Sequence, residues 1–110
     1  MNLLKGTLDL LVLKALAWGP MHGFEIASWL ETRSAGRLNV VDAALIQSLH
    51  RMEERGLVKG EWGVTANGRR ARYYAATAAG RAYLRTEGAQ LADHVDALAT
   101  ILALRPSSSR

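Results

Sequence analysis

A mainly α fold with one small β-hairpin is predicted by three features of the 110-residue sequence. Apolar residues recur at helical spacing in three segments before residue 56. The period then shortens to two on either side of an Asn-Gly turn signal. A long apolar seam with heptad spacing runs through the last third of the chain. Two short helices and a turn leading into a third make a helix-turn-helix core, and a hairpin directly after it makes that core winged.

Composition narrows the classes. Hydrophobic residues make up 49% of the chain and charged residues 22%, the balance of one ordinary globular domain. There is no Cys, which excludes disulfides, thiolate metal sites and Cys nucleophiles. No signal-peptide pattern or apolar run of membrane-spanning length occurs, so a cytoplasmic protein with no membrane partner is expected. The net charge of +4 is unevenly placed. Residues 43–85 hold eight basic and three acidic side chains, whereas the rest of the chain is net −1. A basic excess confined to the middle of the chain is the footprint expected for binding a polyanion.

Taken in order, residues 3–18 predict a helix beginning near Thr7. Leu8, Leu11, Val12, Ala15 and Leu16 form its apolar stripe, with Asp9 and Lys14 lying elsewhere. Leu10, Leu13 and Ala17 make it apolar over more than one face, which calls for cover on several sides and hence a partner chain. Gly19-Pro20 ends it. A second helix is expected over residues 23–32, with Phe24, Ile26, Ala27 and Leu30 inward, and Leu38-Asn39-Val40 suits a short strand.

The third helix spans residues 42–56, with Asp42 as N-cap and Gly56 as its stop. Leu45, Leu49 and Met52 fall on one face. Ala43, Ala44, Gln47, Ser48, Arg51 and Arg55 are assigned to the opposite face, small at its start and basic at its end. Small residues permit close approach to a groove, and Gln and Arg reach base edges or phosphates.

Residues 57–62 and 71–76 are β-like runs, and Asn67-Gly68 between them predicts a hairpin whose tip carries Arg69 and Arg70, with Arg72 beside it. Thr77 caps a last helix over residues 78–104. Its seam of Leu84, Gly88, Leu91, Val95, Leu98 and Leu102 is spaced for a partner helix. The expected organisation is therefore a winged helix-turn-helix over residues 1–77, a dimerisation helix over 78–104 and a flexible tail over 105–110.

Catalytic chemistry finds little support. His22, His50 and His94 lack the i+4 partner of a helical zinc site, and the serines lack a nucleophile elbow. No phosphate-cradling Gly-rich loop is present. A non-enzyme without cofactor or metal is expected. Trp18, Trp29 and Trp62 suit core packing or, alternatively, the walls of an effector pocket.

With these pieces in place, the chain resembles the PadR family of bacterial transcriptional regulators, in particular its short members. The matching blocks are Leu4-Lys5-Gly6-Thr7-Leu8-Asp9-Leu10-Leu11, Trp18-Gly19-Pro20-Met21-His22-Gly23-Phe24, Ala44-Leu45 through Leu49-His50-Arg51-Met52-Glu53 to Arg55-Gly56-Leu57, Glu61-Trp62-Gly63, Arg69-Arg70-Ala71-Arg72-Tyr73-Tyr74 and Thr77-Ala78-Ala79-Gly80. The resemblance implies a homodimer joined by its N- and C-terminal helices, through Leu4, Leu8 and Leu11 together with the C-terminal seam. It also implies repression of a nearby promoter, relieved by a small-molecule effector or other signal.

On this reading Ala43, Ala44, Gln47 and Ser48 face the bases of an inverted-repeat operator in double-stranded DNA. Arg51, Asn67, Arg69, Arg70 and Arg72 hold its phosphates. Two departures concern the operator rather than the fold. The family's Leu-Tyr-Pro is here Leu45-Ile46-Gln47, and its Tyr after His-Gly is here Phe24. A module of the same fold that has lost DNA binding is the alternative.

Overall fold

The computed structural model describes residues 3–107, with side chains from Gly6 onward. The order is α1 (Leu3–Leu16), β1 (Met21–His22), α2 (Gly23–Arg33), α3 (Asp42–Glu54), β2 (Val58–Val64), β3 (Arg70–Ala76) and α4 (Ala78–Ala103). Helices α1, α2 and α3 pack around one apolar centre formed by Val12, Leu13, Leu16, Ile26, Leu30, Leu45, Leu49 and Met52. Leu57, Val58 and Tyr74 close it from the sheet side. The winged helix-turn-helix expected from the sequence is present.

Several boundaries differ from expectation for identifiable reasons. Helix α1 is already formed at Leu3 rather than Thr7; a single interior glycine, Gly6, costs only about 1 kcal/mol and does not stop a helix. Val41, not Asp42, occupies the N-cap of α3 and makes no side-chain cap bond. Asp42 is the first helical residue, where its charge favours the positive end of the helix dipole. Leu38-Asn39-Val40 forms no strand. The third strand is Met21-His22, pairing antiparallel with Tyr74 and Tyr73 to give the order β1-β3-β2.

His22 also starts α2. Its Nδ1 accepts the Glu25 N–H at 3.3 Å while Glu25 Oε1 accepts the His22 N–H at 3.1 Å, a reciprocal capping box. Phe24, expected inward, is 80% exposed. Ile26 and Leu30, at i+2 and i+6 from it, take the core face instead.

At the other end of α3, Gly56 has φ +75°. The Leu57 N–H donates to the Met52 carbonyl at 2.8 Å and the Gly56 N–H to the Glu53 carbonyl at 3.1 Å, a Schellman stop. Strands β2 and β3 pair from Val58↔Ala76 to Val64↔Arg70. Their loop is closed by the Thr65 N–H donating to the Arg69 carbonyl and the Gly68 N–H donating to the Thr65 carbonyl, with Gly68 left-handed.

The Thr77 hydroxyl accepts the Gly80 N–H at 3.0 Å and donates to the Gly56 carbonyl at 2.6 Å, joining the start of α4 to the end of α3. Gly80 sits against Leu57, whose carbonyl oxygen would lie 2.0 Å from any Cβ placed there. Only glycine lets α4 dock so closely.

Beyond that anchor α4 leaves the domain. It rises roughly 39 Å at 1.5 Å per residue, and the chain measures 67 × 28 × 22 Å. The radius of gyration is 16.7 Å, against about 13 Å for a compact chain of this length. Tyr83 and Leu84 still pack on the core, whereas every residue from Ala92 to Arg105 is exposed.

Candidate nucleic-acid interface

Exposure along α3 separates an inner from an outer face. Leu45, Ser48, Leu49 and Met52 are buried, and Ala43, Ile46, Gln47, His50 and Glu54 are exposed. Ala44 and Arg51 lie half-buried on the flank between them. Ala43 and Gln47 therefore stand on the open surface, as expected.

Ser48 does not, and its expected role at the bases is corrected. It follows Leu45 by three and precedes Met52 by four, the spacing of the apolar face itself. Its hydroxyl is fully buried and donates to Asp9 Oδ1 at 2.5 Å. Asp9 is corrected likewise. It lies on the inner face of α1, 5% exposed, and its Oδ1 also accepts from Arg51 Nη2 at 2.7 Å. A buried carboxylate is tolerable only when paired and hydrogen-bonded, and these two donors supply both. Among the described residues, no buried side-chain nitrogen or oxygen is left without a hydrogen-bond partner.

This network changes the standing of Arg51, whose guanidinium is tethered between α3 and α1 and only one-third exposed. Arg55, at the helix end, lies over the Tyr83 ring at 4.9 Å. The outer face of α3 thus carries Gln47 and His50 with an apolar side chain, Ile46, while Asp42 and Glu54 mark its two ends. The sequence assigns neither Ile46 nor His50 to this outward face, although Leu45-Ile46-Gln47 stands out there as a departure that concerns the operator. The signal was there: three- and four-residue steps from Ala43 lead to both Ile46 and Gln47, and the next step from either reaches His50.

The wing contributes the cations. Arg69 and Arg70 are exposed beside the loop that contains Asn67. Arg70 lies 4.5 Å from the centre of the Trp62 ring, which holds its guanidinium against an indole that is itself 59% exposed. Arg72 behaves differently. It bonds Glu53 Oε2 of α3 at 2.6 Å and sits near the faces of Trp62 and Tyr74. The hydrogen bond to Glu53 raises its pKa above the ordinary arginine value. Arg72 ties wing to helix, so it is a brace before it is a phosphate ligand.

The other expected surface lies between α1 and α4. Leu11, Leu84, Gly88, Leu91 and Val95 line an open apolar groove of about 670 Å³. Leu8 is half-buried against the core, and Leu98 and Leu102 continue the apolar line past the end of the groove, exposed. Leu4 lies outside the described side chains, as do residues 108–110 of the expected tail. Of the tryptophans, Trp18 and Trp29 pair at 5.2 Å with Arg33 over both rings. Trp62 stays apart on the wing. The three do not form one pocket.

No group of His, Asp and Glu suited to a metal occurs among the described residues. No described helix is long and apolar enough to cross a membrane.

Comparison with known proteins agrees with this architecture. A model of the transcriptional regulator PadR-like family matches residues 12–86. A solved structure of a candidate transcriptional regulator from Thermoplasma acidophilum superposes with a TM-score of 0.80 at 25% identity, covering 96% of this chain and 100% of that one. A PadR family transcriptional regulator from Eggerthella lenta superposes with a TM-score of 0.74 at 27% identity, covering 93% and 88% respectively. An uncharacterised protein of Lysinibacillus sphaericus is 25% identical over 83 residues, 76% of each chain.

Proposed function

The chain belongs to the PadR-like family of transcriptional regulators, and on that premise we propose that it is a homodimeric, effector-responsive repressor of an inverted-repeat operator. It acts by binding DNA in the cytoplasm rather than by catalysis. The observation that carries this reading is the pairing of an outward helix face beside a cationic wing with an arm that one chain leaves bare. An isolated α4 ending in exposed Val95, Leu98, Ile101 and Leu102 is unfavourable in water, since each such side chain gains about 1.5–3 kcal/mol on full burial.

A second copy of α4 laid along the groove covers that seam through Leu8, Leu11, Leu84, Gly88, Leu91, Val95, Leu98 and Leu102. The two-fold axis this creates presents two α3 helices to successive major grooves, hence the inverted repeat. Within each half-site Gln47 addresses a base edge, with Ala43 and Ala44 allowing close approach. Asn67, Arg69 and Arg70 hold phosphates and fix register. Arg51 and Arg72 serve chiefly as braces. An effector entering between α1 and α4 would be felt at α3, because α1 is tied to α3 through Asp9.

A gel-shift titration against the gene's own upstream region, run with sedimentation, tests the proposal. A shifted band whose protein is dimeric at micromolar concentration is expected. A folded dimer giving no shift at low salt would overturn the repressor reading in favour of a ligand-binding module of the same fold. Gln47→Ala should relax preference at one base position per half-site.

A further inference from the structure

Ile46 is half exposed on the outer α3 face, about one turn from Ala43 and from His50 and adjacent to Gln47 in sequence. Val41 and Phe24 are exposed apolar side chains at the same end of the helix-turn-helix, and Phe24 shares a depression with Asp42. None of these side chains lines the α1–α4 groove. The wing, which Arg72 ties to α3 through Glu53, carries the exposed cations Arg69 and Arg70, which suit flanking phosphates. Duplex DNA is therefore the occupant that the surrounding charge fits.

We propose that Ile46 reads the 5-methyl group of a thymine in each half-site, beside the base pair addressed by Gln47; this rests on the operator-binding reading above. Elimination leads to the thymine. A side chain with no donor or acceptor can read only apolar features, and the C5-methyl of thymine is the one apolar group that base pairs present in the major groove. A β-branched side chain on a helix holds essentially one rotamer, so its methyls meet a fixed point in the groove. Ala43, one turn earlier, leaves room for the base to come close. The Leu45-Ile46-Gln47 sequence thus pairs an apolar reader with a polar one on adjacent residues.

The test uses the native chain. Sites are selected from random duplexes with purified protein, and each thymine of the selected half-site is then replaced by deoxyuridine. This removes the methyl and leaves every hydrogen-bonding group in place. One thymine per half-site, next to the position whose preference Gln47→Ala relaxes, should lose binding by about three- to tenfold on demethylation. Ile46→Ala should bind the thymine and uracil sites equally, whereas Ile46→Val should keep most of the discrimination. Wild-type protein that tolerates uracil at every position overturns the inference alone, as does an Ile46→Ala variant that still prefers the methyl. Failure to enrich any sequence overturns the operator reading and this inference with it.

Discussion

Helix α1 makes two contacts that are built in opposite ways. Toward α3 it is closed: Asp9 is buried and both Ser48 and Arg51 donate to it. Toward α4 it is open, an apolar groove of about 670 Å³ that runs out into a helix with no cover. A polar contact sealed inside one chain has nothing to gain from a second chain. An apolar groove with an exposed continuation is satisfied only by more apolar surface. The winged head is therefore complete in a single chain and the arm is not. That asymmetry predicts different consequences for mutations on the two sides of the same helix.

The largest effect is expected on the open side. Replacing Leu98 and Leu102 together with Glu puts charge where the proposed interface needs apolar contact. The fold of the head should survive, because Leu98 and Leu102 are exposed in the single chain. Sedimentation should show a monomer, and operator affinity should fall by roughly 10²–10⁴-fold as two linked half-site contacts become one. A dimer that persists with unchanged affinity would show that the arm is not the joint.

On the closed side the expected loss is in stability. Asp9→Ala removes the acceptor shared by Ser48 and Arg51. Breaking a fully buried pair costs about 3–5 kcal/mol; with Arg51 one-third exposed and free to turn to water, roughly 2–4 kcal/mol is expected. Ser48→Ala leaves the ion pair in place and should cost only about 1 kcal/mol. Urea midpoints of the two variants give the comparison. Equal costs would mean that the carboxylate is not the keystone of the contact.

Most of this asymmetry is legible in the sequence. The seam of α4 shows there because heptad spacing survives whether or not a partner is present. The helix-turn-helix and wing show because their turn residues, Gly56, Asn67 and Gly68, act locally. The misplacements share a different cause. Asp9 lies three and four residues before Val12 and Leu13, and Ser48 three after Leu45 and four before Met52, so spacing puts both inside while side-chain polarity argues for outside. Resolving that conflict needs the other helix, since each makes the other's burial tolerable. The role of Met21-His22 as a strand depends likewise on β3, which is distant in sequence. Long-range pairing of this kind leaves no local signature.

The same distinction applies to the arginines, and the smallest effect should expose it. Arg70 lies over Trp62 with its charge exposed on the wing, while Arg51 is engaged with Asp9. If Arg70 neutralises a phosphate, Arg70→Ala should weaken binding to all sequences alike. The slope of log K against log salt should then shrink by about 0.9 for each phosphate no longer neutralised, or roughly twice that for a dimer. Stability should change little, since surface substitutions of this kind usually stay within about 0.5 kcal/mol. Arg51→Ala should do the reverse, lowering the urea midpoint while leaving the salt slope nearly intact. Titrations at several salt concentrations distinguish the two. An Arg51→Ala slope that falls as far as that of Arg70→Ala would place Arg51 on the DNA, and the head would then be completed by its operator rather than by its own chain.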